Sequence, residues 1–440
     1  MAYAGAETAR AVSFEEQALI SAWRERSLSR LLVAYISTGL GFLVVPGTLM
    51  GLWNLISISS GRSADAASAP WIQAHGHAQI FGWVGSFILG IGFYSIPKLR
   101  HSAWFPLSTG WLCWVLWTSG ILMRWGAGVW SWNWRLLMPL SAAVELTAFV
   151  LFFQSVLRHH SDHGRRSKPE VWVVAVTAGT AGLMLSLVLN LIECLRLAVA
   201  GDHPIFPHAF DQRFLFAATW GFLVPVVWGF STRWMPVFLG LKPQRATMIA
   251  ASVALDLVGV VSALAGWFRL SAFLLLGAVA VFIAALRLWD RVARSPKIRG
   301  VHQSFPAFIR LSYGWLVVAS LLGIWASWTG GPGIWGASRH ALTVGFIATM
   351  IFSVGPRVLP AFSGMKPLYS TDLMFAAQAL LTFGCALRVA AEIAAYQGYA
   401  GWAWWWLPVS GLAEFAAVLI FAANLALSFL GRSIVPLRGD

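Results

Sequence analysis

Twelve stretches of about 20 mostly apolar residues follow one another with little between them, and no other feature narrows the choice of fold so far. They cover 31–53, 75–97, 104–123, 134–157, 171–195, 214–238, 247–266, 270–288, 307–328, 340–361, 371–394 and 404–430. A backbone crossing hydrocarbon finds no water to bond its N–H and C=O groups, so each run must close its own hydrogen bonds as a helix. Only 11% of the 440 residues are charged, 58% are hydrophobic, and mean hydropathy is +0.70. A soluble domain carries roughly a quarter charged residues, so this chain cannot cover a globule with polar surface. The expected fold is an all-α integral membrane bundle, one domain over 31–430. Residues 1–30, with Glu7, Arg10, Glu15, Glu16, Arg24, Glu25, Arg26 and Arg30, are expected to form a cytosolic amphipathic lead-in. The acids among these residues argue against a secretory signal.

Lys and Arg distribution sets the orientation. With both termini on one side, that side receives 23 of the 31 Lys and Arg residues and the other receives 8. Both termini are therefore expected in the cytoplasm. The net charge of +14 is explained by this asymmetry facing a lipid bilayer and needs no nucleic acid partner.

An internal repeat refines the picture. Residues 233–243 (RWMPVFLGLKP) and 357–367 (RVLPAFSGMKP) share R-x-x-P-x-F-x-G-x-K-P at an offset of 124. Helices 2, 6 and 10 share a longer frame: a residue X, Gly at +5, an aromatic at +6 and Pro at +20. X is His77, Phe216 and His340 in turn. Gly120-x-x-x-Arg124 on helix 3 matches Gly384-x-x-x-Arg388 on helix 11, and Pro139 with Glu145 matches Pro408 with Glu414. Three four-helix units follow, near 31–160, 171–295 and 305–430. An even number of spans makes them parallel, related by an axis along the membrane normal.

Of ten histidines, only His75, His77 and His340 fall at the outer ends of spanning helices. Intramembrane histidines are costly unless partnered and so are functional candidates. His75 and His77 lie two residues apart, about 200° around a helix, and do not share a face. His77 and His340 hold equivalent depths. The pair suits two axial imidazoles on a haem between helices 2 and 10, with interhelical hydrogen bonding as the plain alternative. Arg124 and Arg388 are the first choice for haem propionates, with snorkelling to headgroups as theirs. Glu145, Glu193, Asp256, Glu392 and Glu414 are intramembrane acids, suited to a proton relay or to pairing with arginine. His101, His159, His160, His163 and His302 read as solvated loop residues, and Cys113, Cys194 and Cys385 as buried thiols.

The stretches HGHAQIFGWVGSFILGIGFYSIPKL (75–99) and RHALTVGFIATMIFSVGPRVLPAFSG (339–364) resemble the NnrS family, twelve-helix haem- and copper-containing proteins of the bacterial nitric oxide response. More distantly, the chain is similar to subunit I of haem-copper oxidases, whose twelve helices form three arcs. This resemblance implies a bacterial inner-membrane protein with a b-type haem and a copper centre. It implies redox or small-gas chemistry on nitric oxide at the outer face, and an oxidoreductase role. The electron donor would be a separate cytochrome or a quinol. Departures are specific. Oxidases place copper histidines on helices 6 and 7, where this chain has Phe216 and no histidine in 247–266. Copper would then need other ligands, such as His75 with His208. NnrS relatives read HxHE on helix 2, whereas Ala78 and Gln79 follow His77 here. The competing expectations are a metal-free structural subunit of a respiratory complex and a transporter.

Overall fold

The computed structural model describes residues 14–100, 105–158, 170–364 and 366–431. Among these the chain is helical without a strand, and twelve helices reach membrane length. We number them α1 (Leu19–Gly61, continuous from Phe14), α2 (Ala69–Lys98), α3 (Leu107–Trp130), α4 (Trp134–Arg158), α5 (Val171–Ala200) and α6 (His208–Phe238). The second half holds α7 (Ala246–Leu264), α8 (Phe268–Leu286), α9 (Phe305–Thr329), α10 (Gly333–Phe362), α11 (Thr371–Tyr396) and α12 (Ala403–Phe429). Eleven are both long and apolar enough to cross a membrane. The exception, α3, spans 24 residues, but five tryptophans and Arg124 lower its hydropathy. It packs as a hairpin with α4, just as α7 does with α8 and α11 with α12.

The amphipathic lead-in expected at 1–30 is, from Phe14 onward, the beginning of α1 itself. Its first 13 residues lie outside the described ones, as do His101, His159, His160 and His163. At 43 residues α1 is about 65 Å long, twice a hydrocarbon core of about 30 Å, so it extends well beyond the bilayer.

The repeat closes into a ring. α4 packs on α5, α8 on α9, and α12 returns to α1. Inside the ring stand the three frame helices. In their most apolar windows α2, α6 and α10 bury 78%, 83% and 72% of residues, whereas the other spans bury 33–56%. The frame is also a backbone device. In each central helix the hydrogen bonding widens to π geometry just after X: Ala78–Gly85 after His77, Ala217–Leu223 after Phe216, and Ala341–Ala348 after His340. A fourth π segment, Leu43–Leu49, surrounds Pro46 in α1, where the missing proline N–H already breaks the ladder. Wide turns of this kind gather at functional sites.

Candidate functional site

Packing at three glycines shows how the repeats correspond. A Cβ on Gly120 would meet Glu145 Cγ at 2.6 Å and Ser141 O at 3.1 Å, and one on Gly384 would meet Glu414 Cγ at 2.7 Å and Ser410 O at 3.1 Å. In the second repeat Gly259 faces Leu275 in the same way, at 2.9 Å, and Ser271 stands four residues before Leu275 as Ser141 and Ser410 stand before their glutamates. Four residues past each glycine come Arg124, Ala263 and Arg388. The first and third repeats therefore carry His77, Arg124, Glu145 and His340, Arg388, Glu414. The second carries Phe216, Ala263, Leu275. Sequence reading finds the outer sets because their polar residues stand out among apolar ones. It misses the middle set, because Ala263 and Leu275 give no signal in an apolar helix.

Three-fold placement decides where each X points. Equivalent side chains face equivalent arcs, which are different places in the molecule. His77 is buried and directs Nε2 to Glu145 Oε1 of α4 at 3.1 Å, with its ring 4.8 Å from that of Phe81. Phe216 packs against Phe268 and Trp335, at ring distances of 5.7 and 5.8 Å. His340 turns toward α11, where Nδ1 lies 3.4 Å from Glu392 Oε2. A residue on α2 that looks across at His340 must therefore come from the face opposite His77, which is the face of His75.

Both histidines line one cavity of about 370 Å³ between α1, α2, α6, α10, α11 and α12. His75 donates from Nδ1 to Gly47 O at 2.8 Å, and His340 donates from Nδ1 to Gly336 O at 2.9 Å, one turn back on its own helix. A carbonyl only accepts, so each bond places a proton on Nδ1, and in the neutral ring Nε2 then carries the lone pair. Neither Nε2 has a hydrogen-bond partner among the described residues. Glycines make room for the His75 ring and for the carboxylate beside His340. A Cβ on Gly51 would stand 2.7 Å from His75 Cε1, and one on Gly336 would run into the Glu392 carboxylate.

Charge gathers round the same space. Arg388 is buried, its Nε 3.6 Å from Glu392 Oε2, and its Nε and Nη1 make no hydrogen bond. Arg124 enters from α3 with its guanidinium 4.9 Å above the Phe206 ring; its Nε and Nη1 are likewise buried and unbonded among the described residues. Arg339 donates to Gln212. Glu414 lines the wall, while Glu145 stays outside the lining, bonded to His77 at its edge. Gln73 clasps the α5–α6 loop over the cavity by exchanging two bonds with the Phe206 backbone, at 2.9 and 2.8 Å. Gln79 donates to Thr48 at 3.3 Å.

Of the residues singled out in the sequence, His75, His77, His340, Arg124 and Arg388 all contribute to the cavity wall. His208 does not; it is exposed at the start of α6. His302 bonds Ser304 in the α8–α9 connection. Among the described residues no group of three or more His, Cys, Asp or Glu is disposed to hold a metal ion. Gly336, Gly47 and Gly51 escaped sequence reading, and Glu392 was read only as an intramembrane acid. The spacing Gly336-x-x-x-His340 was a legible signal, whereas the approach of α1 to His75 was not. In the second arc, aromatic rings occupy the interior. Trp228 stacks on Phe282 at 4.3 Å, and Tyr313 lies 6.1 Å from Phe282 and 5.2 Å from Phe346.

Residues 212–430 match a family described as a domain of unknown function (DUF8744). No curated protein matches the chain. Among solved structures, the chain is similar to one of a haem-copper terminal oxidase dimer determined by cryo-electron microscopy. The TM-score is 0.72 at 11% identity, over 92% of this chain and 85% of that one. The likeness is one of fold: a twelve-helix membrane bundle in three arcs, built like a haem-copper oxidase subunit.

Proposed function

We propose that the cavity binds a haem between α2 and α10, which His75 and His340 would hold through their imidazoles. One observation carries this reading: two imidazoles, each with Nδ1 held by a glycine carbonyl and Nε2 without a partner among the described residues, line the same cavity. Metal-bound histidines characteristically anchor their second nitrogen in this way, which fixes ring orientation and raises basicity. The surroundings fit the group. The unbonded guanidinium nitrogens of Arg124 and Arg388 are suited to two carboxylates, and the apolar wall supplied by Ile80, Val84, Phe352 and Leu381 is suited to a porphyrin face. Bound there, a haem supplies one-electron chemistry at iron.

The chain's own residues have separate tasks. His75 and His340 hold the iron, and Glu392 sets the orientation of His340 and balances Arg388. The Gln73 clasp and the Phe206 ring keep water from one side. His77, engaged with Glu145 in the neighbouring arc, supports α2 against α4. The pair suggested by the repeat, His77 with His340, thus gives way in this reading to His75 with His340. The electron donor is a separate cytochrome or a quinol, and nitric oxide is the gas that the resemblance of 75–99 and 339–364 to the NnrS family implies. Copper is left without an assigned set of ligands.

Optical spectroscopy of the purified protein tests the proposal. A Soret band and a b-type pyridine haemochrome are expected, and the band should be lost in His75→Ala and in His340→Ala. A colourless wild type, or undiminished absorbance in both variants, would sink it. Nitric oxide added to the reduced protein should shift the Soret band, and an unchanged spectrum would remove the gas from the reading.

A further inference from the structure

We propose that the α8–α9 connection, together with the α6–α7 loop to which it is tied, forms a binding site for anionic phospholipid headgroups. Between Leu288 and Ser304 the sequence carries Arg291, Arg294, Lys297 and Arg299, and all four are exposed. Lys242 and Arg245 of the neighbouring loop are exposed as well. A single acid, Asp290, lies in the connection, and it is already used: Arg287 Nε donates to its Oδ2 at 2.7 Å. That bond, with the charges of Lys242 and Arg245 close by, holds the Asp290 carboxyl below its usual range and shows that the two loops share one electrostatic neighbourhood. These two tied loops thus carry six exposed cations against one acid that Arg287 already engages, an imbalance that favours binding of an anion.

The platform is fixed. Ala293 and Arg294 donate their backbone N–H groups to Gly240 O at 2.9 and 3.1 Å, Lys297 N donates to Phe238 O at 3.0 Å, and Arg357 Nη1 donates to Arg299 O at 3.2 Å. A site held by its own backbone loses little freedom when a ligand arrives. Its apolar residues identify the ligand as a lipid. Trp289 and Val292, 53% and 45% exposed, alternate with the cations in a segment that begins just past the end of a membrane span. Tryptophan settles at the boundary of headgroup and acyl chain, where its ring and the neighbouring arginines can engage one molecule.

Native mass spectrometry of the full chain in detergent micelles, titrated with phosphatidylglycerol or phosphatidylcholine, tests the site. Several-fold more phosphatidylglycerol than phosphatidylcholine should remain bound to wild type. That preference should vanish in the triple variant Arg291→Gln, Arg294→Gln, Lys297→Gln, and it should persist in Arg26→Gln, Arg30→Gln. These are exposed positions, and an unchanged melting temperature in phosphatidylcholine confirms that the variants are folded. Equal retention of both lipids, or an undiminished preference in the triple variant, overturns the proposal. So does displacement of the bound lipid by an equal concentration of inorganic phosphate, which would mark a site for the free anion.

Discussion

The second and third arcs of this bundle share a backbone and differ in what they hold. In both, a residue X precedes a π segment, a glycine packs against the partner helix of its own hairpin, and aromatic rings follow. The third arc places His340, Arg388 and Glu414 on this frame and leaves a cavity. The second places Phe216, Ala263 and Leu275 there and fills with stacked rings. The wide turn and close-packed glycine are therefore not signs of chemistry in themselves. They set out three equivalent stations, and side-chain identity decides whether each holds a ligand or a core. The first arc is the intermediate case: its polar set is intact, but it closes on itself through His77 and Glu145.

The largest effect should come from emptying the third station. His340→Ala, or His75→Ala across the cavity, should reduce haem per protein to background by Soret absorbance, whereas His77→Ala should keep the band. Equal losses in all three variants would erase the distinction between first and third arcs. Next comes the glycine that seats the His75 ring. Gly51→Ala pushes on His75, and haem affinity should fall about ten- to hundredfold in a titration of the apoprotein, as expected when a ligand's support is disturbed. Phe216→His tests whether X alone makes a site. With Ala263 and Leu275 beside it, the imidazole has no built-in partner, so stability should fall by about 2–4 kcal/mol and haem content should not rise. A second haem in that variant would show the frame to be sufficient. Glu145→Leu leaves His77 buried without its acceptor, which should cost about 1–3 kcal/mol of stability while haem content holds. Smallest is Gln73→Ala. Losing two bonds to Phe206 should lower the melting temperature slightly and speed hydrogen exchange at 201–207.

Much of the architecture was written in hydropathy, because a helix that must cross hydrocarbon has few alternatives. The stretch 247–266 became Ala246–Leu264, and 371–394 became Thr371–Tyr396. The repeat frame was legible too, since glycine and proline are conspicuous within apolar runs. The π turns were not, because nothing in Ala78–Gly85 announces one more residue per turn. The site was half legible. Equivalence drew attention to His77 and His340, but a rotation that makes two residues equivalent also points them into different arcs. His75 could be connected to His340 only once the interhelical packing was visible. Glu392 was noticed as an acid, yet its partnership with His340 and Arg388 depends on how α11 faces α10.

The position of the π segments has a consequence for how such a chain can change by insertion and deletion. Those of α2 and α10 lie between the histidine-bearing end of the helix and the proline-bearing end, and each holds slack of about one residue. Removing a residue inside Ala341–Ala348 would restore ordinary winding and turn His340 about 100° relative to Pro360, while the lower part of α10 kept its neighbours. The segment acts as a crank within a rod. One lost or gained residue could swing a ligand out of one compartment and toward the next without rebuilding the twelve-helix frame.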